Sequence, residues 1–260
     1  MIIDTCSYNG ESELFDLRYH ILAPYVDEFR VIEFDQTFSG KSKESAFNQN
    51  WPKVKHYFVT EDIWSKYLEQ ANQSPNTEYG KGAEHWVREW AQKESIKDCL
   101  TDLKNNDIVF IGDCDEIWMP DADFENPKKL KLKTYSYWLN NRSSEEFWGT
   151  LVSRYYWVKN QCLNHLRTNA DKTVQDYGWH FTSMGGHEKV KEKLTDSYTK
   201  DSYANDWVLD NLKENISSNK DFLGRNFTYK LDESEWPQWL KDNKDKYKHL
   251  LKNDKTSETG

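Results

Sequence analysis

The sequence predicts an α/β fold in which a mixed sheet is flanked by helices. Two observations predict it. Strand-like and helix-like segments alternate through residues 1–118, and aromatic segments typical of antiparallel strands follow at 130–160. We therefore expect one domain over residues 1–240, with a parallel first half (1–118) and a β-rich second half (119–240).

The first 35 residues contain the clearest local pattern. "MIIDTCSY" (1–8) and "FRVIEFD" (29–35) have the composition of buried strands. Between them, Leu14, Leu17 and Ile21 recur at helical spacing, and Pro24 marks the end of that helix. This is a strand–helix–strand unit, whose strands are usually parallel.

Further elements follow in order along the chain. We expect a third strand at 55–61, a polar surface loop at 62–82, a helix at 83–104 and a strong strand at 108–117. After a turn-rich loop ("MPDADFENP") and the aromatic strands, a short strand runs into a glycine turn at 176–186 and a helix follows it. Residues 241–260 form a charged tail whose last residues we expect to be disordered.

Composition excludes several classes of protein. The net charge is −9 and no long Lys/Arg block occurs, which disfavours nucleic acid as the main partner. No run of about 18 apolar residues could span a membrane. The four cysteines form no pair at zinc-binding spacing, so we expect free thiols. Aromatic residues reach 15%, which suits stacking on sugars or bases as well as core packing.

An acidic cluster ends the strongest predicted strand, "DIVFIGDCDEIW" (107–118). Ligands of open α/β sheets bind beyond the carboxyl ends of the strands. If the strand continues that far, Asp113 and Asp115 project together, and their repulsion is relieved by Mg²⁺ or Mn²⁺. Such an ion would carry a diphosphate. The structural alternative is that an aspartate caps a turn and Glu116 is solvated.

Several segments, taken in order, resemble a known family. "GDCDEI" resembles the D-x-D-E motif of glycosyltransferase family 17, and "TFSGK" (37–41), "REWAQKESI" (88–96) and "GWHFTS" (178–183) are similar to its other blocks. The opening, with its acidic-leucine helix containing an arginine, is also similar. The match covers roughly residues 4–190, and it departs at Cys114, which lies inside the metal motif.

The resemblance implies a GT-A-like fold for residues 1–240 and an enzyme. It implies a UDP-sugar donor, a divalent metal (Mn²⁺ or Mg²⁺), inversion at the anomeric carbon, N-acetylglucosamine as the transferred sugar and a glycan hydroxyl as the acceptor. Animal members carry a Golgi anchor and stem, and this sequence has neither. We therefore expect a cytoplasmic enzyme of bacterial or viral origin, and the sequence leaves the acceptor, the linkage and the oligomeric state open.

Candidate site residues fall into two groups. The metal candidates are Asp113, Asp115 and, through the resemblance, His180, whose alternative is a hydrogen-bonded core histidine. Asp113 could instead bind the donor's ribose. The donor-binding candidates lie at the end of the first strand, in the "TFSGK" loop, in the "REWAQKESI" helix, and in the "GDCDEI" and "GWHFTS" segments. They are Thr5, Cys6, Tyr8, Asn9, Lys41, Arg88, Gln92, Asp113, Glu116 and Trp179. Lys43 and Glu11 are further possibilities. The favoured alternative for Trp179 is a core position.

The mechanism implied is a single displacement, which needs a base for the acceptor hydroxyl. Glu188 and Asp206 are our candidates for it, with Asp176 and Glu33 as alternatives. Two other classes remain open from the residues alone. A two-metal phosphohydrolase or nuclease also clusters acids at strand ends, although no H-x-D motif occurs, and a non-catalytic carbohydrate-binding protein would suit the aromatic content.

Overall fold

A single mixed sheet organises the chain. The computed structural model describes residues 1–74, 84–119, 126–198 and 202–253. Their nine strands form one sheet in the order β3-β2-β1-β4-β7-β6-β8-β5, with β9 paired to β7. Helices flank this sheet, so the predicted α/β class with a mixed sheet is confirmed.

The parallel half follows the predicted strand–helix–strand order. It comprises β1 (Ile2–Tyr8), α1 (Ser12–Leu22), β2 (Glu28–Phe34), β3 (Val54–Val59) and β4 (Ile108–Asp113). β1 pairs in parallel with both β2 and β4, and β2 pairs in parallel with β3. Their carboxyl ends therefore meet along one edge of the sheet, as the sequence predicts.

The acidic motif lies on a turn rather than on a continuous strand. β4 ends at Asp113, the chain turns at Cys114 and Asp115, and β5 (Glu116–Trp118) then pairs with β8. The condition under which Asp113 and Asp115 project together from one extended strand is therefore not met. The turn itself brings the acidic side chains towards the same space.

The second half is built on long strands that pair in both orientations. β6 (Lys128–Ser136) and β7 (Asn141–Arg154) form an antiparallel hairpin, β8 (Asp171–Thr182) lies parallel to β6 on its other side, and β9 (Tyr229–Leu231) pairs antiparallel with β7. Residues 155–160, expected as strand, form the helix α5 (Tyr155–Asn160) instead. Tyr155 and Val158 are buried three residues apart, which is helical spacing on a run rich in β-forming residues.

Short helices replace most of the surface loop expected at 62–82. α2 (Glu61–Trp64), a 3₁₀ turn at Ser65–Tyr67 and α3 (Leu68–Asn72) bury Trp64 and Ala71. Residues 75–83 lie outside the described part of the chain, as do 120–125 of the loop expected after β5. The predicted long helix is α4 (Glu84–Ser95), which continues as a 3₁₀ helix over Ile96–Leu100.

The remaining helices lie in the second half. They are α6 (Leu163–Asn169), α7 (Gly186–Ser197), α8 (Asp206–Ser217) and α9 (Gln238–Asp242), followed by a 3₁₀ helix at Lys244–Leu250. None of the described helices is long and apolar enough to cross a membrane. Tyr247 and Leu250 are buried in the core, so the described part of the predicted tail is packed against the domain. Residues 254–260, where we expect disorder, are outside the described residues.

The core has one hydrophobic cluster on each face of the parallel strands. Along β2, Phe29 and Val31 belong to the cluster under α1, whereas Ile32 and Phe34 belong to the cluster under α4. Strands buried on both faces have nearly continuous apolar sequences, and for this reason the run "IVFI" predicts a strand. The described cysteines are all free thiols, as expected.

Candidate functional site

A cavity of about 350 Å³ opens at the carboxyl edge of the parallel strands. The parallel half contributes the ends of β1 and β2, the acidic motif and α4. The second half contributes β6, β7, β8, α7 and the segment after α8. A concave site between two halves of a domain, at the carboxyl edge of a sheet, is where α/β enzymes bind nucleotides.

Asp113 is fixed by the strand beside it and by a lysine. β1 and β4 are in register at Ser7 and Asp113, and the Ser7 hydroxyl donates to Asp113 Oδ1 at 2.7 Å. Lys93 Nζ lies 3.0 and 2.9 Å from the two carboxylate oxygens. Burial opposes ionisation, but the charges of Lys93 and Arg167 and the Ser7 hydrogen bond hold the pKa of Asp113 well below its usual range.

A buried arginine holds the turn of the motif. Arg18 on α1 is fully buried and forms a bidentate ion pair with Asp4, at 2.7 Å for both bonds. It also donates to the backbone carbonyls of Asp113 (3.0 Å) and Glu116. Asp4 in turn accepts from Trp118 Nε1 at 2.6 Å. These bonds fix the backbone on both sides of the acidic residues, a role for Arg18 that sequence reasoning did not assign.

Glu116 lies in a tightly built recess at the bottom of the cavity. Thr150 Oγ1 donates to its Oε2 at 3.0 Å. A Cβ at Gly112 would lie 2.5 Å from Glu116 Oε2, and one at Gly149 would lie 2.7 Å from the same atom, so glycine makes room for the carboxyl group at both positions. Burial, followed by the charge of Asp113, raises the pKa of Glu116 to about 7.

Asp115 and His180 come together across the β5–β8 pair. Asp115 Oδ2 lies 3.7 Å from His180 Nε2 and 3.1 Å from Lys193 Nζ. The His180 ring stacks on Phe147, with 3.9 Å between the ring centroids. Burial lowers the pKa of His180 to about 4, so the ring is neutral at physiological pH and able to ligate a metal. Its Nδ1 is buried without a hydrogen-bond partner in the described residues.

Gly178 sets the close approach that positions His180. A Cβ at Gly178 would lie 2.2 Å from the carbonyl oxygen of Ile117, and φ is +147°. Only glycine fits there. The next residue, Trp179, is buried in the core and donates to the Glu235 carbonyl at 2.7 Å, outside the cavity lining. Its position therefore supports the core alternative over stacking on a sugar.

The predicted donor-binding residues divide into two sets. Tyr8, Asn9, Gln92, Asp113 and Glu116 line the cavity, together with the metal candidates Asp115 and His180 and the further candidates Lys43 and Glu11. Thr5 and Cys6 are buried in β1 beneath it.

Arg88 and Lys41 also lie outside the lining, for a local reason. Arg88 donates to the carbonyl of Phe38 and packs against Gly40, so it supports the loop after β2. Lys41 pairs with Asp196 at 2.7 Å. Gly40, with φ of +90°, gives the guanidinium the space it occupies.

The predicted bases are not brought to the cavity. Glu188 is exposed and pairs with His187 at 3.0 Å, and Asp206 is exposed in the first turn of α8. Glu33 is buried and binds the backbone N–H groups of 46 and 47, and Asp176 lies on β8 away from the lining. A catalytic role for these four residues stays a prediction without support from this geometry.

The charged lining residues that escaped the sequence reasoning include Lys93, Glu145, Lys193 and Arg225. A signal existed for Lys93, because it shares the buried face of α4 with Trp90, three residues earlier. A charged residue on the apolar face of a helix is unusual unless it is paired. The others belong to segments whose partners are distant in sequence.

A mixed sheet flanked by helices, with an acidic turn at its carboxyl edge, is consistent with the GT-A-like fold of glycosyltransferases. Comparison with family models agrees: the model described as Glycosyltransferase family 17 matches residues 1–195, three quarters of the chain. The chain therefore belongs to glycosyltransferase family 17. No curated protein and no solved structure matches it.

Proposed function

We propose that this chain is a metal-dependent, inverting glycosyltransferase that transfers a sugar, with N-acetylglucosamine as the family expectation, from a UDP-sugar to a glycan hydroxyl. The observation that carries the proposal is the position of the D-x-D-E motif. Its three acidic side chains line one cavity together with the end of β1 and with strands β6, β7 and β8 of the second half. Family membership supports a nucleotide-sugar donor.

The metal-ligating side chains of the cavity fit an ion that completes its coordination with oxygen atoms of the substrate. No group of three or more His, Cys, Asp or Glu side chains is preassembled for a metal in the described residues. Asp115 and neutral His180 nevertheless converge, and Mg²⁺ or Mn²⁺ bound with a phosphate substrate needs only one or two protein carboxylates. Asp115 and His180 would hold the ion, and it would neutralise charge on the leaving diphosphate.

The residues around the motif would hold the rest of the donor. Tyr8, Asn9 and Gln92 line the parallel half of the cavity, and Lys43 donates to the side-chain oxygen of Asn9. We place the uridine against these polar groups. Glu116, in its recess, would face the transferred sugar.

The base role suits Glu145 better than the exposed candidates. Glu145 lies on β7 two residues before Phe147, which stacks on His180, and both side chains line the cavity. Its Oε1 accepts from Arg225 Nη1 at 3.0 Å, while Oε2 has no partner in the described residues. A carboxylate held through one oxygen can use the other to take the proton of an acceptor hydroxyl. That hydroxyl oxygen then bonds to the sugar C1 as the bond from C1 to the UDP oxygen breaks.

Calorimetric titration of UDP tests the proposal. We expect UDP to bind in the presence of Mn²⁺, and at least tenfold more weakly in EDTA or in Asp115→Asn. Asp171→Asn is the matched control, because Asp171 is exposed and pairs with Lys128 far from the cavity. UDP affinity that is the same with Mn²⁺, in EDTA and in Asp115→Asn would refute the proposed metal-dependent transferase. Hydrolysis of a simple phosphodiester would favour the phosphohydrolase alternative.

A further inference from the structure

Two lysines, on two different helices, contact the carboxylates of the acidic motif. Lys93 on α4 contacts both oxygens of Asp113, at 2.9 and 3.0 Å, and Lys193 on α7 contacts Oδ2 of Asp115 at 3.1 Å. Oδ2 is also the Asp115 atom closest to His180, at 3.7 Å. The Lys193 ammonium therefore shares the oxygen on which a metal ion between Asp115 and His180 would depend.

The charges of the cavity require such counter-ions. Among the residues that the structure describes, eight with carboxyl groups line it; they are Glu11, Glu89, Asp113, Asp115, Glu116, Glu145, Asp196 and Asp221. Four cationic side chains from the same part of the chain line it, on Lys43, Lys93, Lys193 and Arg225. Arg225 is engaged by Asp221 and Glu145, and Lys43 lies near Glu33 and Asn9. Lys93 and Lys193 are thus the lining cations that contact the motif carboxylates, and the charge of Arg167 adds to that of Lys93 at Asp113.

We propose that Lys193 is an exchangeable counter-ion, which holds Asp115 in the free protein and moves to the diphosphate oxygens when the metal and the nucleotide enter, while Lys93, which is buried and contacts both Asp113 and Glu89, stays in place. This inference rests on the proposed function. Lysine suits the exchange, because its ammonium lies on a flexible four-carbon chain and binds phosphate as a point charge. Lys193 is 43% exposed, which leaves its side chain room to move.

The exchange has two consequences of opposite sign. Without nucleotide, Lys193 competes with the metal for Asp115, so removing its charge strengthens metal binding. With metal present, Lys193 binds the diphosphate, so removing its charge weakens nucleotide binding. A lysine that merely orients the motif would instead weaken metal binding when replaced.

Titration of Mn²⁺ and of UDP separates these roles. Free Mn²⁺ is followed by electron paramagnetic resonance without nucleotide, and UDP binding is measured by calorimetry at saturating Mn²⁺, both on the full chain. For Lys193→Met we expect Mn²⁺ affinity to rise and UDP affinity to fall, each by roughly 5- to 150-fold, the usual size of coupling between bound ligands. Lys193→Arg keeps the charge and should lie close to the wild-type values.

Lys189→Met is the matched control, since Lys189 lies one turn earlier on α7, is exposed and pairs with Glu192. It should change neither affinity. Unchanged or weaker Mn²⁺ binding by Lys193→Met, or unchanged UDP binding by this variant, overturns the inference. The proposed function still stands in that case if the wild-type chain binds UDP with Mn²⁺. A wild-type chain that binds no UDP with Mn²⁺ overturns both.

Discussion

Glu145 is the residue on which the proposed chemistry depends most directly. Burial raises the pKa of its carboxyl group, Arg225 opposes the rise and Asp221 adds to it. A base must be ionised to accept a proton, so the rate should rise with pH through a range above that of an ordinary glutamate.

Replacing Glu145 by Gln tests this role. We expect kcat to fall by about 10²–10⁴-fold, with little change in UDP affinity and with loss of the acidic limb of the pH–rate profile. The measurement is UDP release in the presence of an acceptor glycan. Glu146→Gln is the control, because Glu146 is exposed and pairs with Lys131. A Glu145→Gln enzyme that keeps its activity and its pH profile would exclude Glu145 as the base.

At the scale of elements, the β5–β8 pair is what links the acidic motif to His180. Glu116 lies opposite His180 and Trp118 lies opposite Gly178 in its register. The close backbone contact at Gly178 makes this pairing sensitive to a single methyl group.

Gly178→Ala should therefore lower the free energy of unfolding by about 1–3 kcal/mol, as overpacking against backbone does. Gly186→Ala is the matched control: φ is also positive there (+76°), but nothing lies within 4 Å of the added Cβ. Urea denaturation of the two variants separates the clash from the cost of the backbone conformation. Equal losses at the two positions would show that the contact with Ile117 does not matter.

Elements with strong local patterns could be predicted from sequence. The strand–helix–strand opening, α4 and the strand of "IVFI" follow from apolar spacing alone, since each buries its own apolar face. The helix α5 could not be predicted from sequence, because its residues favour a strand. Only the burial of Tyr155 and Val158 in the tertiary structure makes the segment helical. The break of the strand at Asp113 depends on the Arg18 network, whose partners are 14 to 98 residues apart.

At the scale of the whole molecule, Glu94 joins the two halves of the chain. It is fully buried on α4 and accepts from the backbone N–H groups of Leu163 and Asn164, at 3.0 Å each, and from Lys97. Burial opposes its ionisation, but Lys97 and these N–H donors hold the pKa of Glu94 below its usual value.

The sign of the pH dependence follows from that shift. A carboxyl group with a lowered folded-state pKa stabilises the fold above its ordinary pKa, and the contribution is lost as pH falls below it. Glu94→Gln should cost about 2 kcal/mol near pH 7 and progressively less below about pH 4. Denaturant unfolding across this range measures it, with exposed Glu84→Gln as the control on the same helix. A cost that does not change with pH would contradict the assigned pKa.

The site was predictable where a strand end supplies it and unpredictable where distant segments do. Asp113, Asp115, Glu116, Tyr8 and Asn9 follow from the rule that ligands bind at the carboxyl edge of the sheet. The lining residues Glu145, Lys193 and Arg225 come from β7, α7 and the segment after α8, and these segments meet only through the topology of the whole sheet. The sequence pattern therefore predicts the lining supplied by the parallel half better than the lining supplied by the second half.

A crystal structure of the chain with UDP and Mn²⁺, with anomalous scattering recorded at the manganese edge, tests the central claim most directly. We expect one manganese ion, seen as a single anomalous peak, bound by Asp115, His180 and the UDP phosphates, with uracil beside Tyr8 and Asn9. UDP bound elsewhere, or a cavity that stays free of both ligands at saturating concentrations, would contradict it.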